Sequence, residues 1–290
     1  MTYPQPFFIL GNPRSGTTLL RLILAAHTKL SVPPECGFLV WWYPKFKDWN
    51  VTASTNELCV EGYLKNLKTS RKIETWDLDY TALYNLIIAS KPNNYAELSS
   101  LVYISYSLQQ GKSISLWGDK NNHYLNYLET LHTLYPNAYF IHLVRDGRDV
   151  ACSYRALNHL NTQSPYKPQL PYSIKEIAQE WSLNILKTGT FLEQLTPDRK
   201  LIITYEDLIE HPQKKAKEIC LFFGIDFEPA MLNYYITTKE PKAFIEWKRK
   251  TLLPPDPSNK NVYLTDLSDK DISDFNQIAG NTLKLYGYTV

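Results

Sequence analysis

The stretch FFILGNPRSGTTLLRLIL, residues 7–24, sets Gly11 and Gly16 in a frame with Ser15, Thr17 and Thr18 around the second glycine. Glycines at this spacing, between a short apolar run and a helix, are the frame of a phosphate-binding loop. There, backbone N–H groups and a helix N-terminus face an anion. The lysine of that pattern is missing. Thr17 stands in its place and Thr18 fills the Ser/Thr position. Arg14 offers a planar fork that can grip two oxygens of an anion. An ATP or GTP enzyme would want the lysine on its β- and γ-phosphates and an acidic residue for Mg²⁺. Asp119 follows an apolar run, but Lys120 beside it competes with a metal. The loop therefore suits transfer of a less charged group. A sulfuryl group bears one negative charge fewer than a phosphoryl group and needs cations and hydrogen-bond donors rather than a metal.

These residues need elements to hold them. Residues 7–10 read as a buried strand and 19–26 as a helix. Residues 31–56, rich in proline and tryptophan, read as irregular, and 57–110 as helical with a break at Pro92. Residues 113–120, 138–144 and 200–205 read as further strands. Helices are expected over 121–136, from 145 to 157, over 173–195, within 206–225 and over 268–287. Residues 158–172 and 248–263 read as loops. Strands alternating with helices imply an α/β fold, a P-loop-type three-layer α/β/α arrangement with a central parallel sheet. Ligands of such sheets bind at the carboxyl ends of strands. The glycine loop, Asp119-Lys120 and Arg145 each follow a strand, so they are expected to converge there.

The chain has 290 residues, enough for one large α/β domain, and is read as a single domain over 1–290. A net charge of +2 gives no global electrostatic case for nucleic acid or an anionic membrane. Cys36, Cys59, Cys152 and Cys220 are scattered, which argues against a metal cluster or a disulfide framework and fits free thiols in a reducing cytoplasm. No histidine cluster has metal-ligand spacing. No signal peptide or membrane span is visible, so the expectation is a cytoplasmic protein.

Together with HLVRDGRDVACSYR, residues 142–155, the first loop makes the chain resemble the sulfotransferases that use 3′-phosphoadenosine 5′-phosphosulfate (PAPS). It is most similar to the branch with PRSGTT and a downstream glutamate, which includes the tyrosylprotein sulfotransferases and many bacterial members. The resemblance implies that Arg14, Ser15, Gly16, Thr17 and Thr18 bind the 5′-phosphosulfate. It implies that Arg145 and Ser153 bind the 3′-phosphate, that Tyr205 packs near the adenine, and that Lys248 and Arg249, in WKRK, close over the nucleotide. Glu35, in PPECGF, is implied to be the general base. Arg14 and Lys120 are implied to stabilise the transferred group and the leaving oxygen. His123 is the competing base, because another branch of the family uses histidine. The usual Thr-Pro after the strand-end lysine is replaced by Asn121-Asn122.

The function expected is sulfuryl transfer from PAPS, without a metal, to a hydroxyl of a sugar, lipid, phenol or peptide tyrosine, leaving 3′,5′-ADP (PAP). Two other classes stay open: a non-catalytic PAP- or PAPS-binding protein of the same fold, and an atypical P-loop kinase. Residues 38–110 carry no acceptor motif. Their aromatics, Trp41, Trp42, Tyr43, Trp49 and Trp76, could line a site or fill a core.

Overall fold

The structure, a computed structural model, describes residues 3–162, 164–237 and 240–290; the side chains of residues 242 and 243 are outside that description. The apolar runs become strands: β1 (Gln5–Leu10), β2 (Leu30–Ser31), β3 (Leu116–Lys120), β4 (Tyr139–Val144) and β5 (Lys200–Thr204). They form a parallel sheet in the order β2-β3-β1-β4-β5. β3 is buried along its whole length, and β1 and β4 after their first residue, as parallel strands covered on both faces require. Leu30 pairs with Leu116, and β4 pairs with β5 from Phe140–Lys200 to Val144–Thr204. The helices include α1 (Thr17–Ala25), α2 (Glu57–Lys68), α3 (Tyr80–Ser90), α4 (Tyr95–Gln109), α5 (Gly147–His159), α6 (Ile174–Glu193) and α7 (Asp269–Leu285), with a further one at Pro212–Phe223. Among the described residues no helix is long and apolar enough to cross a membrane.

The chain gathers into two compact units. One holds the residues up to Phe8 and His27–Tyr139. Its core is aromatic. Tyr103 stacks on Trp117 with ring centroids 3.9 Å apart, and Phe8 meets Trp117 edge-on at 6.0 Å. Trp49 and Trp76 belong to this core, whereas Trp41 is exposed. Asn56, Asp79 and Asn94 cap α2, α3 and α4 by accepting hydrogen bonds from their leading amides. The segment read as irregular contains three short helical pieces, Phe38–Trp41, Tyr43–Phe46 and Val51–Thr55. The helix expected over 121–136 is broken at Tyr127, whose extended φ of −133° separates a 3₁₀ stretch, Asn122–Asn126, from a helix, Leu128–Leu134.

The other unit holds Ile9–Ala26 and Phe140–Val290. One core cluster joins α5, α6 and α7 through Val150, Tyr154, Trp181, Ile185, Phe275 and Leu283. Trp181 also donates its indole N–H to the carbonyl of Arg145, which fixes the chain where it leaves β4. The expected loop at 248–263 carries two 3₁₀ turns, Arg249–Leu252 and Pro257–Asn259.

Candidate active site

In the second unit, β1 ends at Leu10 and α1 begins at Thr17, two residues earlier than the apolar pattern predicts. Between them the chain turns tightly, with the Ser15 amide donating to the Asn12 carbonyl at 3.2 Å. Gly16 caps the helix at φ +87°, a left-handed conformation that favours glycine. A Cβ there would lie 2.3 Å from the Tyr205 ring, so the ring packs directly on the glycine. Gly16 also has no side chain to offer the leading amides of α1, whose N–H groups and dipole suit an anion. Ser15 is fully buried, and its hydroxyl has no hydrogen-bond partner among the described residues.

Arg14 adopts φ +67°, an uncommon conformation for a non-glycine residue. Its surroundings hold it there. Nε donates to Ser153 Oγ at 3.0 Å and Nη2 to the Trp247 carbonyl at 3.3 Å. Its own carbonyl accepts from Arg145 Nη1 at 3.2 Å. Arg145 also donates to the Asn259 carbonyl at 2.8 Å, and its guanidinium carbon lies 4.4 Å from the Tyr205 ring centroid. Its buried Nε has no partner among the described residues. Tyr205 has its pKa raised by burial, with the Arg145 charge opposing. The structure thus joins Arg14, Gly16, Arg145, Ser153 and Tyr205 in one cluster. Arg14 and Ser153, which the sequence assigns to opposite ends of one ligand, touch directly.

The basic segment makes both side-chain and backbone contacts in this unit. Lys248 pairs with Glu240 at 3.0 Å, and the same buried carboxylate pairs with Arg21 on α1. Arg249 is exposed. What this segment brings to Arg14 is the carbonyl of Trp247, a backbone contact that no residue type announces.

In the first unit, Glu35 lies in the turn between β2 and the helical piece Phe38–Trp41. Its Oε1 pairs with Lys120 Nζ and its Oε2 with Lys72 Nζ at 2.9 Å. The Lys120 side chain is only 2 % exposed at the end of β3. The structure thus gives the Glu35 carboxylate two ammonium neighbours. Lys120 does not turn to Asp119. That carboxylate is completely buried and accepts from Tyr103 and Tyr124. Burial raises its pKa to about 7, opposed by the two tyrosine donors and the Lys120 amide and assisted by the Glu35 charge. His123 is exposed, with Tyr127 at 4.9 Å and Trp41 at 6.3 Å between ring centroids, and partial burial lowers its pKa.

Lys72, Tyr103, Tyr124, Glu240 and the Trp247 backbone escape sequence analysis. Only Tyr124, four residues past Lys120 in the same motif, carried any signal. Lys72 sits at φ +76° in a polar turn with no recognisable pattern. Chemically, the second unit offers guanidinium groups, hydroxyls and helix amides to an anion. The first offers a carboxylate that can take a proton, with an ammonium group beside it.

The family model described as "Sulfotransferase family" matches residues 6–229. A Caenorhabditis briggsae protein, provisionally named a protein-tyrosine sulfotransferase, is 26% identical over 233 residues, 80% of this chain and 70% of that protein. The protein-tyrosine sulfotransferase of Drosophila melanogaster is 23% identical over 236 residues, 81% of this chain but only 41% of that protein. The chain therefore spans less than half the length of the fly relative. A solved sulfotransferase domain from the curacin biosynthetic pathway is 25% identical, with a TM-score of 0.62 and full coverage of both chains. The match across the first loop, the Glu35 turn and the Arg145 strand end shows that the chain belongs to the sulfotransferase family.

Proposed function

We propose that the protein transfers a sulfuryl group from PAPS to an acceptor hydroxyl, with Glu35 as general base, and that residues 1–290 act as one sulfotransferase domain. The observation that carries the reading is the Arg14–Arg145–Ser153–Tyr205 cluster on a phosphate-type loop without its lysine. Two buried polar atoms there, Ser15 Oγ and Arg145 Nε, have no partner among the described residues and fit phosphate oxygens. A mouse sulfotransferase of the same fold, 14% identical with a TM-score of 0.50, is complexed with PAP.

In this reading Ser15, Thr17, Thr18 and the α1 amides hold the 5′ end of the nucleotide. Arg145 and Ser153 hold the 3′-phosphate, and Tyr205 flanks the adenine. Lys248 and Arg249 are assigned to closing over the nucleotide. PAPS supplies an activated sulfuryl group. Glu35 accepts the proton of the attacking hydroxyl. Lys120 and Arg14 hold positive charge where the leaving oxygen becomes negative, and removing such a preorganised group costs about 3–4 kcal/mol in comparable oxyanion sites. With these cations in place, the reading needs no metal. The acceptor is a hydroxyl compound; protein tyrosine is the class named for two relatives. The four cysteines, none in a disulfide, support a cytoplasmic setting.

A thermal-shift panel of PAP, AMP, ATP and GTP, in EDTA and in Mg²⁺, tests the donor. PAP should give the largest shift in EDTA. A larger shift from ATP with Mg²⁺ would replace the reading with a kinase. An acceptor screen with PAPS then separates an enzyme from a binding protein.

A further inference from the structure

We infer that the buried Tyr103–Asp119–Tyr124 cluster positions the Glu35 turn; the inference rests on the proposed role of Glu35 as base. Asp119 precedes Lys120 on β3, and its Oδ2 accepts from both tyrosines, from Tyr124 at 2.5 Å. The Tyr124 hydroxyl also lies 3.3 Å from the carbonyl of Cys36. Its one proton is shared between Asp119 and the backbone immediately after Glu35. The Tyr103 ring packs against Trp76, with centroids 5.3 Å apart, and against Phe38, at 5.4 Å. Trp76 donates its indole N–H to the Pro34 carbonyl at 2.8 Å. The carbonyls on both sides of Glu35 are therefore held by aromatic side chains. One, Tyr124, bonds to Asp119; the other, Trp76, is braced by a tyrosine that bonds to it.

The chemistry of Asp119 supports a positioning role. Its Oδ1 is buried without a partner among the described residues, a costly arrangement that apolar packing would avoid. It does not neutralise Lys120, which pairs with Glu35 instead. Its strand neighbour Lys120 and the turn it steadies through Tyr124 are the two sides of the Lys120–Glu35 pair. A base displaced by an ångström can lose on the order of 100-fold in rate, so a rigid turn matters to the proposed reaction.

The test uses the full chain and Tyr124→Phe, which removes the hydroxyl and keeps the ring. Amide hydrogen exchange in peptides covering residues 34–39 should quicken about tenfold, while those covering 11–18 and the affinity for PAP stay unchanged. Asp119→Asn, which keeps an acceptor for the tyrosines, should preserve most of the protection; Asp119→Ala should lose it. Unchanged exchange in Tyr124→Phe, or the reverse order for the two Asp119 variants, overturns the inference.

Turnover is read as PAP released from PAPS with phenol or water as acceptor. Tyr124→Phe should lower it about tenfold at constant KM for PAPS, with little further loss on a Glu35→Gln background. Full additivity also overturns the inference. If Glu35→Gln alone leaves turnover intact, the base assignment fails, and the exchange data still judge the clamp.

Discussion

Arg14 bears on two parts of the proposed nucleotide site at once. Its loop position assigns it to the 5′ end, while its guanidinium bonds Ser153, the residue assigned to the 3′-phosphate. Comparing PAP with AMP separates the two roles, because AMP lacks the 3′-phosphate. Arg145→Ala should weaken PAP by about 1.5–3 kcal/mol, the range for a charge-assisted contact, and leave AMP nearly unaffected. If Arg14 serves the 5′ end, Arg14→Ala should weaken both nucleotides by similar amounts. A loss confined to PAP would move Arg14 to the 3′-phosphate. Calorimetric titration of the two variants gives all four affinities. Glu35→Gln should bind PAP as the parent does and lose roughly 100- to 10,000-fold in turnover, the usual contribution of a general base. A variant that turns over normally would remove Glu35 from the chemistry.

At the scale of the element, the strand–loop–helix at β1 and α1 depends on one backbone conformation. Gly16 combines φ +87° with a ring at the place a Cβ would occupy. Gly16→Ala should therefore cost roughly 2–3 kcal/mol of stability, from left-handed strain and displacement of Tyr205. It should also weaken PAP, since Tyr205 carries the stacked Arg145. Chemical denaturation and PAP titration check the two effects; a variant as stable as its parent would show that Tyr205 yields freely. β1 and β4 were legible because buried parallel strands are continuous apolar runs, whereas β3 and the half-exposed edge strand β5 were read from the shorter apolar runs SISLWG and KLIITY. β2, with two residues, has no period to read. The pieces Phe38–Trp41, Tyr43–Phe46 and Val51–Thr55 are too short to show helical periodicity. The glycine loop, Arg145 and Lys120 were legible because each stands at the end of a strand. Lys72 was not, because its approach to Glu35 comes from a turn with a left-handed lysine, a conformation that sequence does not signal.

Across the whole molecule, two buried groups set opposing dependences of stability on pH. His142 lies on β4, fully buried, with neither ring nitrogen paired among the described residues. Burial lowers its pKa from 6.5 to about 3. Below about 6.5 the unfolded chain takes up a proton that the folded chain refuses, so His142 erodes stability as pH falls. Asp119 acts in the other direction. Its pKa rises from 3.8 to about 7, chiefly through burial, so the folded chain keeps a proton that the unfolded chain has released. Its contribution to stability is lost as pH rises from about 4 to 7. Over the shared window the two slopes, each at most about 1.4 kcal/mol per pH unit, offset each other. Single substitutions should expose them. The Tm of His142→Leu relative to the parent should be most favourable near pH 4 and decline toward pH 7. For Asp119→Asn the same difference should climb over that interval. Melting curves at half-unit steps between pH 4 and 7 read both trends. Parallel trends in the two variants would mean that other groups, ionising outside these two buried positions, govern the acid side of the stability curve.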